Sequence, residues 1–360
     1  MAVPPVSSQL QALLARQGAA VAPLVPLGAA VTGLDLRQRP PEELRKALEA
    51  AVSHGFSTFL MDFQWIFLWV FEVRSGAQVE MASRGFLVFK GQGVLSGSEQ
   101  VECSAFWGGQ ELHSTHGVHE KAANRHIFRL SNRSEEGIVG VGPQWHNDGS
   151  FEESIFSHVG YHIVRVPEKG GDTEFVHQGA AYDALEEETK SYWARLISVN
   201  ATSGVLHPMV HEHPISKRRS VYLHLGMTGG ILEQTASGLR LLEEEELLKV
   251  FNDYNELLNR GLSKNGGAYG LSYAYEEGDC IFIDNWAIAH RATPEAHLAE
   301  QGLRILHRTT VRSPWPGPRC SAFAAFATPQ LLAKADVSGQ GVFVAGGLGF
   351  RWAKDIRMQN

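Results

Sequence analysis

Cysteine is scarce in this chain of 360 residues: Cys103, Cys280 and Cys320 stand far apart and form no C-x-x-C pair. That pattern suggests neither a disulfide framework nor a thiolate zinc site, and it fits a reducing compartment. An excess of positive charge is also missing. Lys and Arg number 32 against 39 Asp and Glu, for a net charge of −7, and the basic residues cluster only at Lys217, Arg218 and Arg219. Such a balance argues against a general nucleic-acid binder. A long apolar run is lacking too. The most apolar stretch, Phe56 to Phe71, is interrupted by Asp62 and Gln64, and a membrane span needs about 20 apolar residues. Met1 to Ala20 has neither the basic start nor the continuous apolar core of a signal peptide. The expectation is a cytoplasmic protein with neither nucleic acid nor membrane as its partner.

What is present is enough apolar sequence, 44%, to bury a substantial core. Two short strands joined by a turn are predicted within Val21 to Leu36, and a helix over Pro40 to Val52, where Leu44, Leu48 and Val52 form one stripe. Bulky apolar residues predict a buried strand at Gly85 to Lys90, followed by a helix over Ser96 to Phe106. Further strands are expected at Phe156 to Val166, Ser220 to Leu225, Cys280 to Asp284 and Arg304 to Val311, with helices at Ala180 to Leu196 and Glu243 to Leu258. Strands outnumber helices without regular alternation, which predicts a mainly β fold with helical decoration, a double-sheet jelly roll. No internal repeat or linker divides the chain, so one domain is expected.

Trp145 to Phe151 reads WHNDGSF. Residues two apart in extended chain point to one side, so His146 and Asp148 present an imidazole and a carboxylate to one point while Asn147 points away. Iron(II) oxygenases hold their metal with two His and one carboxylate on one face, leaving positions open. An H-x-D pair alone is weak evidence, since a surface turn produces it by chance. Here it is joined by Gly278 to Arg291, GDCIFIDNWAIAHR, a turn and an apolar strand followed by a polar loop that ends in His290. Arg304 and Arg308 follow in LRILHRTTV, four apart on one face of a predicted strand. Guanidinium groups there suit a buried carboxylate better than a surface ion pair.

These pieces, together with PLGAAVTGLDL, GFLVFKGQ, GGDTEF and LHPMVHEHP, run in the order found in the TauD/TfdA family, the taurine dioxygenase and 2,4-D dioxygenase group, which the chain resembles over roughly Val21 to Val311. The resemblance implies a double-stranded β-helix (jelly-roll, cupin-like) core, with iron(II) as metal, 2-oxoglutarate as cosubstrate and dioxygen as oxidant. Oxidation of a small, anionic or zwitterionic substrate would release succinate and carbon dioxide. It also implies His146, Asp148 and His290 as metal ligands, and Thr173 with Arg304 at the distal carboxylate of 2-oxoglutarate. Arg308 would face either the cosubstrate or an anionic group of the substrate.

The chain departs from that family's pattern in two places. Residues 56–83 read as an insertion, genuine or a gene-model artefact such as retained intron sequence, within a domain spanning 21–320, with a leader at 1–20 and an extension at 321–360. Trp286 stands where the family commonly has arginine after Asp284 and Asn285. His113 and His116 read as loop or core histidines, Trp145 and Phe151 as packing, and Gly170 and Gly171 as turn residues. His207, His211 and His213 raise, without favouring, a second metal site. The alternatives kept open are a non-catalytic binding protein on the same scaffold and a metal-dependent hydrolase using the same His/Asp/His set. Oligomeric state is open, a homo-oligomer included.

Overall fold

The strands in the middle of the large sheet read as near-continuous apolar runs because both faces of that sheet are covered. In the computed structural model, which describes residues 6–16, 18–37, 77, 79, 81–111, 117–262 and 268–312, the strand Phe86–Phe89 is buried throughout. Its alternate side chains part company: Phe86 and Val88 enter one apolar cluster while Leu87 and Phe89 enter another. Cys280–Asp284, paired antiparallel beside it, divides the same way, with Ile281 and Ile283 on one side and Cys280 and Phe282 on the other. This is the period of two of a pleated strand, and each side chain so buried contributes about 2 kcal/mol. The predicted helix at 40–52, the apolar stretch 56–71, His113, His116, Cys320 and the tail 321–360 lie outside the described residues.

Those strands belong to an eight-stranded sheet in the order Ala20–Pro23, Ala29–Thr32, Phe86–Phe89, Cys280–Asp284, His158–Arg165, Ile305–Arg312 and Gly109–Glu111, with Phe128–Ser131 also pairing with Ile305–Arg312. Against it lies a three-stranded antiparallel sheet, Gly270–Tyr273, Thr173–His177 and Ile288–Ala292. The two share one core, in which Phe175 and Ile288 of the smaller sheet meet Phe86, Val159, Ile283 and Leu306 of the larger. The rings of Phe86 and Phe175 stand 4.7 Å apart.

The opposite face of the large sheet is closed by two helices. Ser8–Ala15 buries Leu10 and Leu14 there, and Gly97–Ala105 starts at a capping box in which Ser96 and Glu99 satisfy each other's backbone N–H. A four-stranded sheet, Gly238–Leu241, Thr228–Thr235, Leu196–Asn200 and Leu206–Pro208, and a two-stranded ribbon, Val210–Glu212 with Arg219–Val221, extend the fold. The long helix Glu244–Gly261 packs beside them through Leu247, Val250, Phe251, Tyr254, Leu257 and Leu258, a stripe of helical spacing. Among the described residues no helix is long and apolar enough to cross a membrane.

Two expected elements differ. The helix predicted over 180–196 is two helices, Gln178–Asp183 and Glu187–Trp193, and Leu196 opens a strand. The first is started by the His177 imidazole, whose Nδ1 accepts from the N–H groups of Gly179 and Ala180. Leu196 and Ile197 are claimed by sheet pairing with Glu233 and Leu232, which outweighs local helix propensity. The strand predicted over 220–225 is confined to Arg219–Val221, because Tyr222 and Leu225 donate their N–H groups to the carbonyls of Met209 and Trp145 instead.

Candidate metal centre

Two backbone hydrogen bonds join His146 and His290, each N–H donating to the other's carbonyl at 3.1 and 3.0 Å. This single bridge ties the segment carrying His146 to the strand Ile288–Ala292, and it sets the two imidazole rings 4.2 Å apart between centroids. His290 thus sits in the middle of a strand and not at the end of a polar loop as expected. The flanking Ile288 and Ala289 are fully buried, and the strand's pairing with Thr173–His177 orders the segment. Asp148 follows in a turn, with its Oδ2 3.7 Å from His290 Nε2. Gly149 has a φ of +84°, and a Cβ there would lie 2.7 Å from the Phe156 ring. Glycine therefore lets the chain turn sharply away from the carboxylate.

The three side chains are buried, and one ligand atom from each lies within 4.8 Å of the others. His146 Nδ1 donates to the Gln144 carbonyl at 2.8 Å, which leaves Nε2 as the free lone pair. Burial holds the His146 imidazole below its ordinary pKa, and burial together with His146 and Arg308 holds His290 well below. Both rings are therefore neutral donors. Asp148 Oδ2 and both ring nitrogens of His290 are buried without a hydrogen-bond partner. Buried polar atoms are normally paired, so a neutral His pair with an orphaned carboxylate oxygen fits a divalent transition metal.

The backbone around the triad is held by amides. Asn147 points away from the metal side, as predicted, and its Nδ2 donates to the carbonyls of Asn285 and Ile288 at 2.7 and 2.8 Å. Gln178 exchanges a pair of amide hydrogen bonds with Asn147. Asp284 accepts from the N–H groups of Trp286 and Ala287 and from His213 Nε2 at 3.1 Å. Trp286 is 1% exposed, with ring centroids 6.0 Å from His213 and 6.3 Å from His158.

A cavity beside the histidines is walled by Thr173, Arg304 and Arg308 together with Leu130, Tyr161 and His297. Arg304 Nε donates to the Gly171 carbonyl at 3.2 Å. Arg308 pairs through Nη1 with Asp148 Oδ1, lies 4.7 Å over the Phe128 ring, and keeps Nε and Nη2 buried without partners. The structure thus brings His146, Asp148, His290, Thr173, Arg304 and Arg308 to one place.

The other residues singled out in the sequence go elsewhere. Trp145 is fully buried and donates Nε1–H to Asn259, while Phe151 meets Phe156 edge-on at 6.2 Å. His207 bonds the Ser150 carbonyl, His211 the Trp286 carbonyl and His213 the Asp284 carboxylate. Tyr161 and His297 carried no motif. Only the inward face of the strand His158–Arg165 could have pointed to Tyr161, and nothing local pointed to His297.

Comparison with known proteins agrees with this geometry. Residues 74–310 match the family described as "Taurine catabolism dioxygenase TauD, TfdA family". An alpha-ketoglutarate-dependent sulfonate dioxygenase of Saccharomyces cerevisiae is 25% identical over 267 residues, covering 63% of this chain and 62% of that protein. An alpha-ketoglutarate-dependent 2,4-dichlorophenoxyacetate dioxygenase of Cupriavidus pinatubonensis is 27% identical over 185 residues, covering 45% of this chain and 59% of its own. The chain therefore spans less than two thirds of the length of these two relatives. Among solved structures, AAD-2 in complex with Mn(II) and N-oxalylglycine superposes with a TM-score of 0.57 at 22% identity, over 83% of this chain and 98% of that one.

Proposed function

Because the chain belongs to the TauD/TfdA dioxygenase family, we propose that it is an iron(II)- and 2-oxoglutarate-dependent dioxygenase acting on a small organic molecule. The observation that carries this reading is the set of orphaned donor atoms on His146, Asp148 and His290, opening onto a cavity that holds two buried guanidinium groups. His146 through Nε2, Asp148 and His290 would hold the iron. Thr173 and Arg304 would take the distal carboxylate of 2-oxoglutarate, a pairing suited to a planar, permanently charged guanidinium. Arg308, with two unpartnered donors beside Asp148, supports a role at the cosubstrate carboxylate nearer the metal. Iron with 2-oxoglutarate supplies activation of dioxygen and the coupled loss of carbon dioxide that yields succinate.

The chain's own contribution is orientation and the exclusion of water. Neutral imidazoles keep lone pairs available at neutral pH, the amides of Asn147 and Asn285 fix the ligand backbone, and Leu130, Ile138, Val141 and Leu306 dry the cavity. The two facing sheets correspond to a double-stranded β-helix, within one dioxygenase domain over 21–320 that carries an insertion at 56–83 and an extension at 321–360. An anionic substrate is supported by the relatives, which are named for sulfonate and 2,4-dichlorophenoxyacetate dioxygenation. A cytoplasmic setting accords with the lack of cysteine pairs.

Anaerobic addition of iron(II) and 2-oxoglutarate to metal-free protein tests the reading. A weak visible charge-transfer band is expected, lost in His146→Ala and, in Arg304→Ala, displaced to about 100-fold higher 2-oxoglutarate. Iron binding with no band would move the assignment towards a hydrolase.

A further inference from the structure

We propose that His297 is a third polar group for the distal carboxylate of the 2-oxo acid, acting beside Thr173 and Arg304 and matching the cavity to a five-carbon dicarboxylate. The inference rests on the cosubstrate assignment above and adds to it a residue that no motif identifies.

His297 closes a short 3-10 turn, Pro294–His297, that is fastened on both flanks. On one side the Thr293 N–H donates to the Asp172 carbonyl at 3.2 Å and the Glu168 N–H to the Gln301 carbonyl at 2.9 Å. Gly170 approaches so closely that a Cβ would lie 2.6 Å from Glu295 Cβ, so the turn and the glycine pair before Thr173 are packed as one unit. On the other side Asn132 donates from Nδ2 to the carbonyls of Leu298 and Gly302, at 3.0 and 2.8 Å, and accepts the Arg304 N–H on Oδ1 at 2.9 Å. One side chain thereby fixes the backbone that follows His297 and the backbone of Arg304.

The result is an imidazole that lines the same cavity as Thr173 and Arg304 and lies close enough to Arg304 to feel its charge. Its Nε2 is buried and has no hydrogen-bond partner, although buried ring nitrogens are normally satisfied. Burial, with Arg304 adding to it, holds the ring below its ordinary pKa, so it is neutral, and its Nε2–H tautomer would donate to a bound carboxylate. A neutral donor beside a guanidinium adds a directional hydrogen bond to a carboxylate without placing two cations side by side. The remaining walls, Leu130, Ile138, Val141 and Leu306, suit the short methylene stem between the two ends of such an acid.

The test is calorimetric titration of the Mn(II)-loaded protein with 2-oxoglutarate and, separately, with 2-oxobutyrate, which lacks the distal carboxylate. His297→Leu should weaken 2-oxoglutarate about tenfold and leave 2-oxobutyrate unchanged. His297→Asn, polar but short, should repeat that selective loss and guards against a folding defect in the leucine variant. Equal losses for both acids, or no loss for either, would overturn the inference and leave the cosubstrate assignment standing. Wild-type protein that binds Mn(II) but not 2-oxoglutarate would overturn both.

Discussion

The carboxamide of Asn285 grips both backbone polar groups of Asp148: its Oδ1 accepts the Asp148 N–H at 2.9 Å and its Nδ2 donates to the Asp148 carbonyl at 2.8 Å. The second Nδ2 proton goes to the Phe156 carbonyl at 2.8 Å, so the amide is saturated and fully buried. Asn285 holds a candidate metal ligand in place without touching its carboxylate. Asn285→Asp keeps the acceptor but turns two attractive contacts into carboxylate against carbonyl. Affinity for Mn(II), measured by electron paramagnetic resonance of the free ion, should drop about 10- to 100-fold, the usual cost of disturbing groups behind a metal ligand. An unchanged affinity would mean that the turn is held by other bonds.

Arg304→Ala should act on the cosubstrate and not on the metal. Arg304 is 8% exposed and its Nε is engaged with the Gly171 carbonyl, which aims the guanidinium along the cavity. Loss of a charge-assisted pair of hydrogen bonds raises the half-saturating 2-oxoglutarate concentration about 100-fold, read from the charge-transfer band. Mn(II) affinity without cosubstrate should stay as in the wild type. A half-saturation that does not move would place the anchor on another residue.

The parts of this arrangement that the sequence revealed are those governed by local pattern. Phe86–Phe89 and residues 280–283 were readable because a strand covered on both faces reads as a continuous apolar run. His146 and Asp148 were readable because spacing by two fixes a shared side. His290 was found by residue type, but its strand was hidden because pairing with Phe175, a partner more than a hundred residues away, decides its conformation. The same non-locality divided the helix expected over 180–196. Tyr161 had only the alternation of its strand to mark it and His297 had no local signature, since each reaches the cavity through the approach of segments distant in sequence.

Trp286 offers a test of how a departure from the family's pattern is accommodated. Asp284, the acid just before it in Asp-Asn-Trp, is satisfied by His213 and two backbone N–H groups, and Trp286 fills the space beside that pair. Restoring the arginine common in the family, Trp286→Arg, would bury a guanidinium with no free carboxylate and should cost about 3 kcal/mol or more. Adding His213→Leu frees Asp284 to take the new guanidinium, so the double variant should be more stable than the sum of the two single losses. Urea denaturation of the four proteins measures the coupling, and strict additivity would show that Asp284 and residue 286 do not communicate.

The buried histidines away from the metal centre make the fold sensitive to acid. Burial holds His177 and His211 at a pKa of about 4 and His307, beside Arg129, at about 3. Each is engaged as a neutral ring: His307 Nε2 takes a hydrogen bond from Arg129 at 2.7 Å, and His177 Nδ1 caps a helix. Their folded values lie below the unfolded value of about 6.5, so between that pH and about 4 the unfolded chain binds protons that the native state refuses. Stability is therefore complete above pH about 6.5 and falls as pH drops, each histidine contributing up to about 1.4 kcal/mol per pH unit. The urea midpoint should decline through this window, and His307→Gln, which removes one titrating ring but keeps an acceptor for Arg129, should make the decline shallower. A slope identical in wild type and variant would show that the His307 ring accepts a proton in the folded state as readily as in the unfolded one.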